Sequence, residues 1–255
     1  MICYPLLGKN GEFGNQLFQI AATVSHAIDC NDEAIFPQYN YNYLFKNKIH
    51  TTANEPIIEN NYTEEHFYYS PIPKLPNLSI NGYFQTEKYF INNKKQILDL
   101  FEFADSFTET VINKYSNYLK NNPVGVQLRT YSRGSIDPRN IHSDVFENEG
   151  YLQKAFNYFG KDRLYVLVTD NFAYAQARLP KRDNIILLNT SDLCEDFCLL
   201  TLCTDLICSA SSFGWWASYL NKNNNKKIIM PKRWFNVADD WYDIRDIYPA
   251  GVIKF

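Results

Sequence analysis

The second half of the chain repeats one pattern: a short apolar run, a turn of polar or small residues, then a helical stretch. Residues 124–129, 164–168, 185–188, 205–208 and 228–230 form the apolar runs. Each is too short for a helix and reads as a buried strand. Helical segments are predicted between them, at about 149–159, from Asp192 and Glu195 onward, and over 213–220. Strands alternating with helices in this way build a parallel sheet, and therefore an α/β fold. Ligands of such sheets bind beyond the carboxyl ends of the strands. That rule selects Gln127-Leu128-Arg129, Thr169-Asp170-Asn171 and Ser209 to Phe213, all polar or small residues at the ends of apolar runs.

Each selection has a chemical reading and a plain structural one. Ser209, Ala210, Ser211 and Ser212 are small enough for a ligand to approach the backbone. The helix start that follows offers N–H groups and a dipole to an anion. The same residues would also serve as a capped strand-to-helix turn. Arg129 can grip a diphosphate with two parallel hydrogen bonds and stabilise charge on a leaving phosphate; it can also be a surface arginine at a strand end. Asp170 can accept hydrogen bonds from a ribose or a base edge, or cap the following helix.

The first half is less regular. Residues 2–7 read as a strand, and Gly8, Gly11 and Gly14 make the next loop glycine-rich. Asn15 is placed to cap a helix over about 15–28, whose Leu17, Ile20, Ala21, Val24, Ala27 and Ile28 share one face. Strand, glycine loop and helix open Rossmann-like units, although the glycine spacing is not the dinucleotide fingerprint. Residues 38–77 show little periodicity, with Pro71, Pro73 and Pro76 interrupting. Loops, short helices and an acceptor-facing surface are expected there. Residues 78–84 alternate like a strand. Ser106 and Glu109 form a capping box for a helix through Leu119. Asn121-Asn122-Pro123 ends that helix, which divides the chain into domains 1–122 and 123–255.

Composition excludes some classes. With 45% hydrophobic and 21% charged residues among 255, the chain is globular. A net charge of −3 gives no electrostatic footprint for duplex nucleic acid. No run of 18 apolar residues is present, so no membrane span is expected. The opening residues lack the basic start of a secretory signal. The six cysteines show no zinc spacing and read as buried free thiols, which fits a cytoplasmic protein. His26, His50, His66 and His142 are scattered. Asp239, Asp240 and Asp243 would either attract a cation or form a charged surface segment. No Asp-x-Asp pattern and no Gly-x-Ser-x-Gly elbow occur. No obligatory metal and no other cofactor are expected.

Four collinear stretches carry a resemblance: Phe13-Gly14-Asn15-Gln16-Leu17-Phe18-Gln19, residues 82–90 (GYFQTEKYF), Ser211-Ser212-Phe213-Gly214-Trp215-Trp216, and Met230-Pro231-Lys232-Arg233-Trp234-Phe235. The chain resembles the α-1,2-fucosyltransferases, of glycosyltransferase family 11, whose third motif reads Ser-Ser-Phe-Ser-Trp-Trp. The resemblance implies a GT-B-like α/β fold, with two Rossmann-like halves and parallel sheets facing a cleft. It implies an inverting transfer of L-fucose from GDP-β-L-fucose to a galactoside hydroxyl, giving an α-1,2 linkage. Its partners are a nucleotide-sugar donor and a glycan acceptor. Another nucleotide-activated deoxysugar, or a carbohydrate- or nucleotide-binding protein without turnover, are the alternatives. By resemblance Gly14, Asn15, Gln127, Asp170, Ser211, Ser212 and Phe213 belong to donor binding, and Arg129 to catalysis. Glu12 is a candidate general base for the acceptor hydroxyl, or a solvated loop residue. The family's strand-end motif, His-x-Arg-Arg-Gly-Asp, reads Gln127-Leu128-Arg129-Thr130-Tyr131-Ser132 here. The first arginine is kept; Arg133 and Arg139 are candidates for a second cation.

Overall fold

A computed structural model describes residues 1–54, 56–131, 141–148, 150–237 and 240–255. Contacts divide the chain into two units: Met1–Asp105 with Asp239–Pro249, and Ser106–Ala238 with Ala250–Phe255.

In the first unit, β1 (Ile2–Cys3) leads to α1 (Phe13–Asp29) and β2 (Ala34–Ile35), followed by β3 (Asn60–Thr63), β4 (Leu78–Asn81) and α2 (Lys94–Leu100). The strands pair in the order β2-β1-β4-β3, all parallel, with Ile2 opposite both Ala34 and Leu78. The strand expected over 2–7 stops at Cys3, because the chain turns at Pro5, which has no N–H for a ladder. The strand expected over 78–84 stops at Asn81. β3, in the aperiodic stretch, escaped the sequence reading. It is an edge strand of polar residues paired only with β4, so one apolar face is not required of it. α1 begins two residues before the expected Asn15. The Glu12 carbonyl accepts the N–H groups of Asn15 and Gln16, which makes Glu12 the cap. Leu17, Phe18, Ile20 and Ala21 are fully buried along the helix.

The second unit contains the regular pattern. After α3 (Asp105–Leu119) come β5 (Val124–Leu128), α4 (Tyr151–Phe159), β6 (Tyr165–Thr169), α5 (Phe172–Arg178), β7 (Ile185–Leu187), α6 (Leu193–Leu202), β8 (Asp205–Ile207), α7 (Ser212–Leu220), β9 (Ile228–Met230) and β10 (Ile253–Lys254). Among the described residues the strands form one six-stranded parallel sheet, in the order β10-β9-β8-β5-β6-β7. Val124, Val126, Leu128, Leu167, Ile207 and Ile229 are core residues at 0% exposure. α7 is anchored by Trp215 and Trp216, both fully buried; each contributes on the order of 1.5–3 kcal/mol by leaving water. Asp192 caps α6 by accepting the N–H groups of Cys194 and Glu195.

Two local expectations differ. α3 starts at Asp105, so Ser106 lies inside its first turn rather than at a capping box, and its carbonyl accepts the Thr110 hydroxyl at 2.8 Å. The helix also groups with the second unit, so the break at Asn121–Pro123 lies within that unit. Tyr115 donates its hydroxyl to Glu195, and Lys114 pairs with the same carboxylate at 2.6 Å. A late segment returns to the first unit. There Asp246 accepts the Tyr69 N–H at 3.2 Å and the Lys88 ammonium at 2.7 Å. A break placed on local turn residues cannot register either set of distant contacts.

Candidate active site

The strand order locates the site in the second unit. From β5 the chain moves to β6 and β7 on one side, then crosses to β8 and β9 on the other. The order reverses between β5 and β8, and the loops leaving two such strands part to leave a crevice. Arg129 and Ser209 to Ser211 follow those two strands, and Asp170 follows the neighbouring β6. Local alternation in the sequence thus becomes three adjacent polar strand ends.

Ser209 joins two of them. Its hydroxyl donates to the Gln127 carbonyl at 2.7 Å and accepts the Arg129 N–H at 2.8 Å. The Gln127 side-chain oxygen accepts the Ser209 N–H at 3.0 Å. The last β5–β8 pair is Val126 with Ile207, so these bonds extend the ladder past the strands. Ser209 is fully buried and Gln127 nearly so; Gln127 therefore faces inward and braces the loop. Gly214 packs against it. A Cβ there would lie 2.8 Å from the Gln127 side-chain oxygen and 3.0 Å from Cys208 Cβ, so glycine is what this close approach admits. Two departures from the motifs of the resembled family, Gln127 and Gly214, are thus in contact.

Asp170 joins the other pair of ends. Its Oδ1 accepts both the N–H and the hydroxyl of Thr130, each at 2.8 Å, and its Oδ2 lies 3.3 Å from Arg129 Nη1. Asp170 does not cap α5; Asn171 does, accepting the Tyr174 N–H. The carboxylate is left to orient the arginine. The Arg129 side chain is 36% exposed and that of Asp170 17%, so the guanidinium is held yet open to solvent. The Arg129 guanidinium also lies 5.0 Å above the Tyr131 ring. Arg133 and Arg139 lie outside the described residues, as do Ser132 and Asp239.

The Ser211–Phe213 stretch forms the start of α7. Ser211 caps it, accepting the Phe213 N–H at 3.3 Å. Phe213 packs edge-on against Phe197 of α6, with centroids 5.1 Å apart. The helix N-terminus and the Arg129 cation follow neighbouring strands, a combination that suits a diphosphate. A separate surface cavity of about 310 Å³ includes Lys114, Tyr115, Asn189, Asp192 and Glu195 in its lining; no candidate residue lines it. Among the described residues, no cluster of three His, Cys, Asp or Glu stands at metal-binding distance, and no helix is long and apolar enough to cross a membrane. Every cysteine is a free thiol, and all but Cys30 are buried.

The first unit holds the remaining candidates. Glu12 is exposed at the cap of α1, and Gly14 is buried in its first turn. Asn15 does not cap; its side-chain oxygen accepts Gln85 Nε2 at 2.8 Å. Gly11 makes this fit possible at φ +90°, where a Cβ would meet Asn15 Nδ2 at 2.2 Å. Behind Gln85 stands Glu64, which the sequence reading missed. Only 5% exposed, it accepts the N–H of Tyr83 at 2.7 Å, that of Phe84 at 3.0 and 3.1 Å, and the Tyr89 hydroxyl at 3.3 Å. Burial pushes its carboxyl up to about 7, against the opposing pull of these hydrogen bonds. Nothing in the aperiodic stretch around Glu64 marks it; the loop it clamps was visible as the 82–90 motif.

Two parallel α/β units, one with an arginine at the end of a central strand, set the class of fold within which the chain is compared with known proteins. The family described as Glycosyl transferase family 11 matches residues 7–247, and the chain belongs to it. The chain is 22% identical over 196 residues to the O-antigen biosynthesis glycosyltransferase WbnK of Escherichia coli, covering 70% of this chain and 64% of the relative. It is 25% identical over 234 residues to galactoside alpha-(1,2)-fucosyltransferase 1 of Rattus norvegicus, covering 82% and 61%. The chain thus spans less than two thirds of the length of these relatives. Its fold is similar to that of a mutant of Arabidopsis thaliana FUT1 solved with GDP, at a TM-score of 0.55 and 13% identity over 90% of this chain and 69% of that one. It is also similar to the fucosyltransferase NodZ from Bradyrhizobium, at 0.53 and 11% over 86% and 91%. The fold is of the GT-B-like α/β class expected from the sequence.

Proposed function

We propose that the protein is an inverting glycosyltransferase that moves L-fucose from GDP-β-L-fucose to a galactoside hydroxyl, forming an α-1,2 linkage. The observation that carries this reading is the held, solvent-open Arg129 guanidinium at the reversal of strand order, on the strand next to the one that leads into α7. In one displacement the acceptor oxygen bonds to the anomeric carbon as the bond from that carbon to the diphosphate oxygen breaks. The departing GDP carries the electron pair, and Arg129 stabilises its growing charge. Ser211, Ser212 and Phe213 hold the phosphates or guanosine, Asp170 orients Arg129, and Gln127 braces both loops. In the first unit, Asn15 and Gly14 are assigned to the donor, and Glu12 is the candidate base for the acceptor proton. With an arginine meeting the leaving charge, transfer is expected to survive EDTA; loss on chelation, restored by magnesium or manganese, would contradict this. A reducing, cytoplasmic setting belongs to the same reading and fits the six free thiols.

The decisive experiment is incubation with GDP-fucose and simple galactosides, with assay for free GDP and an α-1,2-fucosylated product. Thr130 supports a second reading, transfer of another nucleotide-activated deoxysugar. It stands where the family motif has its second arginine, and it is bonded to Asp170. Release of GDP or another nucleotide from a different deoxysugar donor, with none from GDP-fucose, would select it.

A further inference from the structure

We propose that Tyr131 is a positioning residue, a ring platform that holds the Arg129 guanidinium where a leaving diphosphate needs it. The inference rests on the nucleotide-sugar reading and assigns a part to a residue that reading leaves out.

Four observations converge on Tyr131. Its backbone sits at φ +45°, a left-handed conformation unfavourable for a residue with a Cβ. Such strain persists only where surrounding contacts hold it, and it gathers at functional sites. The contacts that hold it are specific. The Arg129 guanidinium lies 5.0 Å over one ring face. The His142 ring stacks on Tyr131 at 4.4 Å with 4° between planes. The Tyr131 hydroxyl donates to the Ala210 carbonyl at 2.5 Å, one residue before the α7 cap.

The stack is itself braced. His142 bridges Phe235 across an antiparallel pair, and its carbonyl accepts Asn236 Nδ2 at 2.8 Å. Phe235 of the 230–235 motif, to which no chemistry had been assigned, thus pairs with the residue stacked on the platform. Asp170 fixes one edge of the guanidinium through a single contact. One contact sets a distance; a flat ring beneath the fork also sets its tilt. The alternative is that Tyr131 merely ties the β5 loop to the β8 loop through its hydroxyl.

The experiment compares Tyr131→Gly with Tyr131→Phe. Glycine adopts φ +45° freely, so the ring is lost without straining the backbone. Phenylalanine keeps the platform and loses only the hydroxyl bond. Tyr131→Gly should lower kcat about tenfold and weaken GDP binding by calorimetry about threefold, with acceptor KM little changed; the lost stack and hydroxyl bond also lower the thermal midpoint, so both proteins are assayed well below it. Tyr131→Phe should recover kcat to within about threefold of wild type. The Arg129 side-chain NMR signals, assigned by their loss in Arg129→Lys, should carry a ring-current shift in wild type and Tyr131→Phe that vanishes in Tyr131→Gly.

Wild-type kcat and GDP affinity in Tyr131→Gly would overturn the inference. So would a Tyr131→Phe protein as impaired as Tyr131→Gly, since the hydroxyl tie would then be the working contact. A wild type that binds GDP but transfers no fucose, with binding weakened in Tyr131→Gly alone, would overturn the fucosyl-transfer reading and support the platform.

Discussion

In the second unit the polar candidates stand where three parallel strands stop, and the Arg129 and Asp170 side chains reach solvent. In the first unit Asn15 stands on a helix and is held by Gln85, whose loop is clamped by the nearly inaccessible Glu64. One arrangement keeps an ion pair near a surface, where water screens it and the arginine stays open to solvent. The other buries a carboxylate behind the residue it helps to place. Burial shifts that carboxyl upward and makes it answer to pH. The difference separates a charged group left open to solvent from one that builds the wall of a loop.

The sharpest way to break the comparison is to remove the exposed cation. Arg129→Ala should cost about 2.7–4 kcal/mol in the barrier to transfer, with little change in unfolding midpoint. Arg129→Lys should recover little, since a point charge cannot bridge two oxygens. A near-normal rate in the alanine variant would show that the phosphates bind elsewhere.

The buried carboxylate should act on stability instead. Because the folded value of Glu64 is raised above its unfolded value, its contribution is complete below the ordinary carboxylate range and is lost as pH rises through about 7. Burial of Asp196, pushed up to about 6, gives a slope of the same sign. Glu64→Gln should remove up to about 3 kcal/mol of the difference in urea-unfolding free energy between pH 4.5 and 8. The same pH dependence in both proteins would show that Glu64 does not titrate in this range.

Within the second unit, Gly214→Ser tests the contact with Gln127. The added atoms should destabilise the fold by about 1–3 kcal/mol through overpacking. Much of that cost should disappear in the Gln127→Ala background, because the two sites share one space. Additive effects would mean that Cys208, rather than Gln127, bears the clash.

The smallest expected change sharpens the role of α7. Ser212→Val should weaken GDP binding by about 0.5–1.5 kcal/mol, the usual worth of one hydrogen bond, with acceptor KM little altered. Equal GDP affinity in calorimetry would make the stretch a structural turn.

Much of the second unit was legible because strands of a parallel sheet covered on both faces are predominantly apolar, so β5, β6, β7, β8 and β9 announce themselves. Their polar ends announced Arg129, Asp170 and Ser211 by the same logic. Ser209 was visible only as a small residue; its two hydroxyl bonds are across the sheet. In the first unit β3 was hidden because an edge strand tolerates polar residues, and Glu64 because its four partner contacts lie about 20 residues downstream.

The sequence by itself determined the alternation of strand and helix, hence a parallel α/β sheet, and the polar residues that end its strands. Local periodicity and turn chemistry are enough for that, since they act within a few residues. Only the tertiary structure decided that β5 and β8 are neighbours, that Thr130 bonds to Asp170, that Gln127 leaves no room for a side chain at Gly214, and that Tyr131 lies beneath Arg129. Those contacts join residues tens of positions apart. The free energy that selects them is shared by the whole packed unit, so no short stretch of sequence displays it.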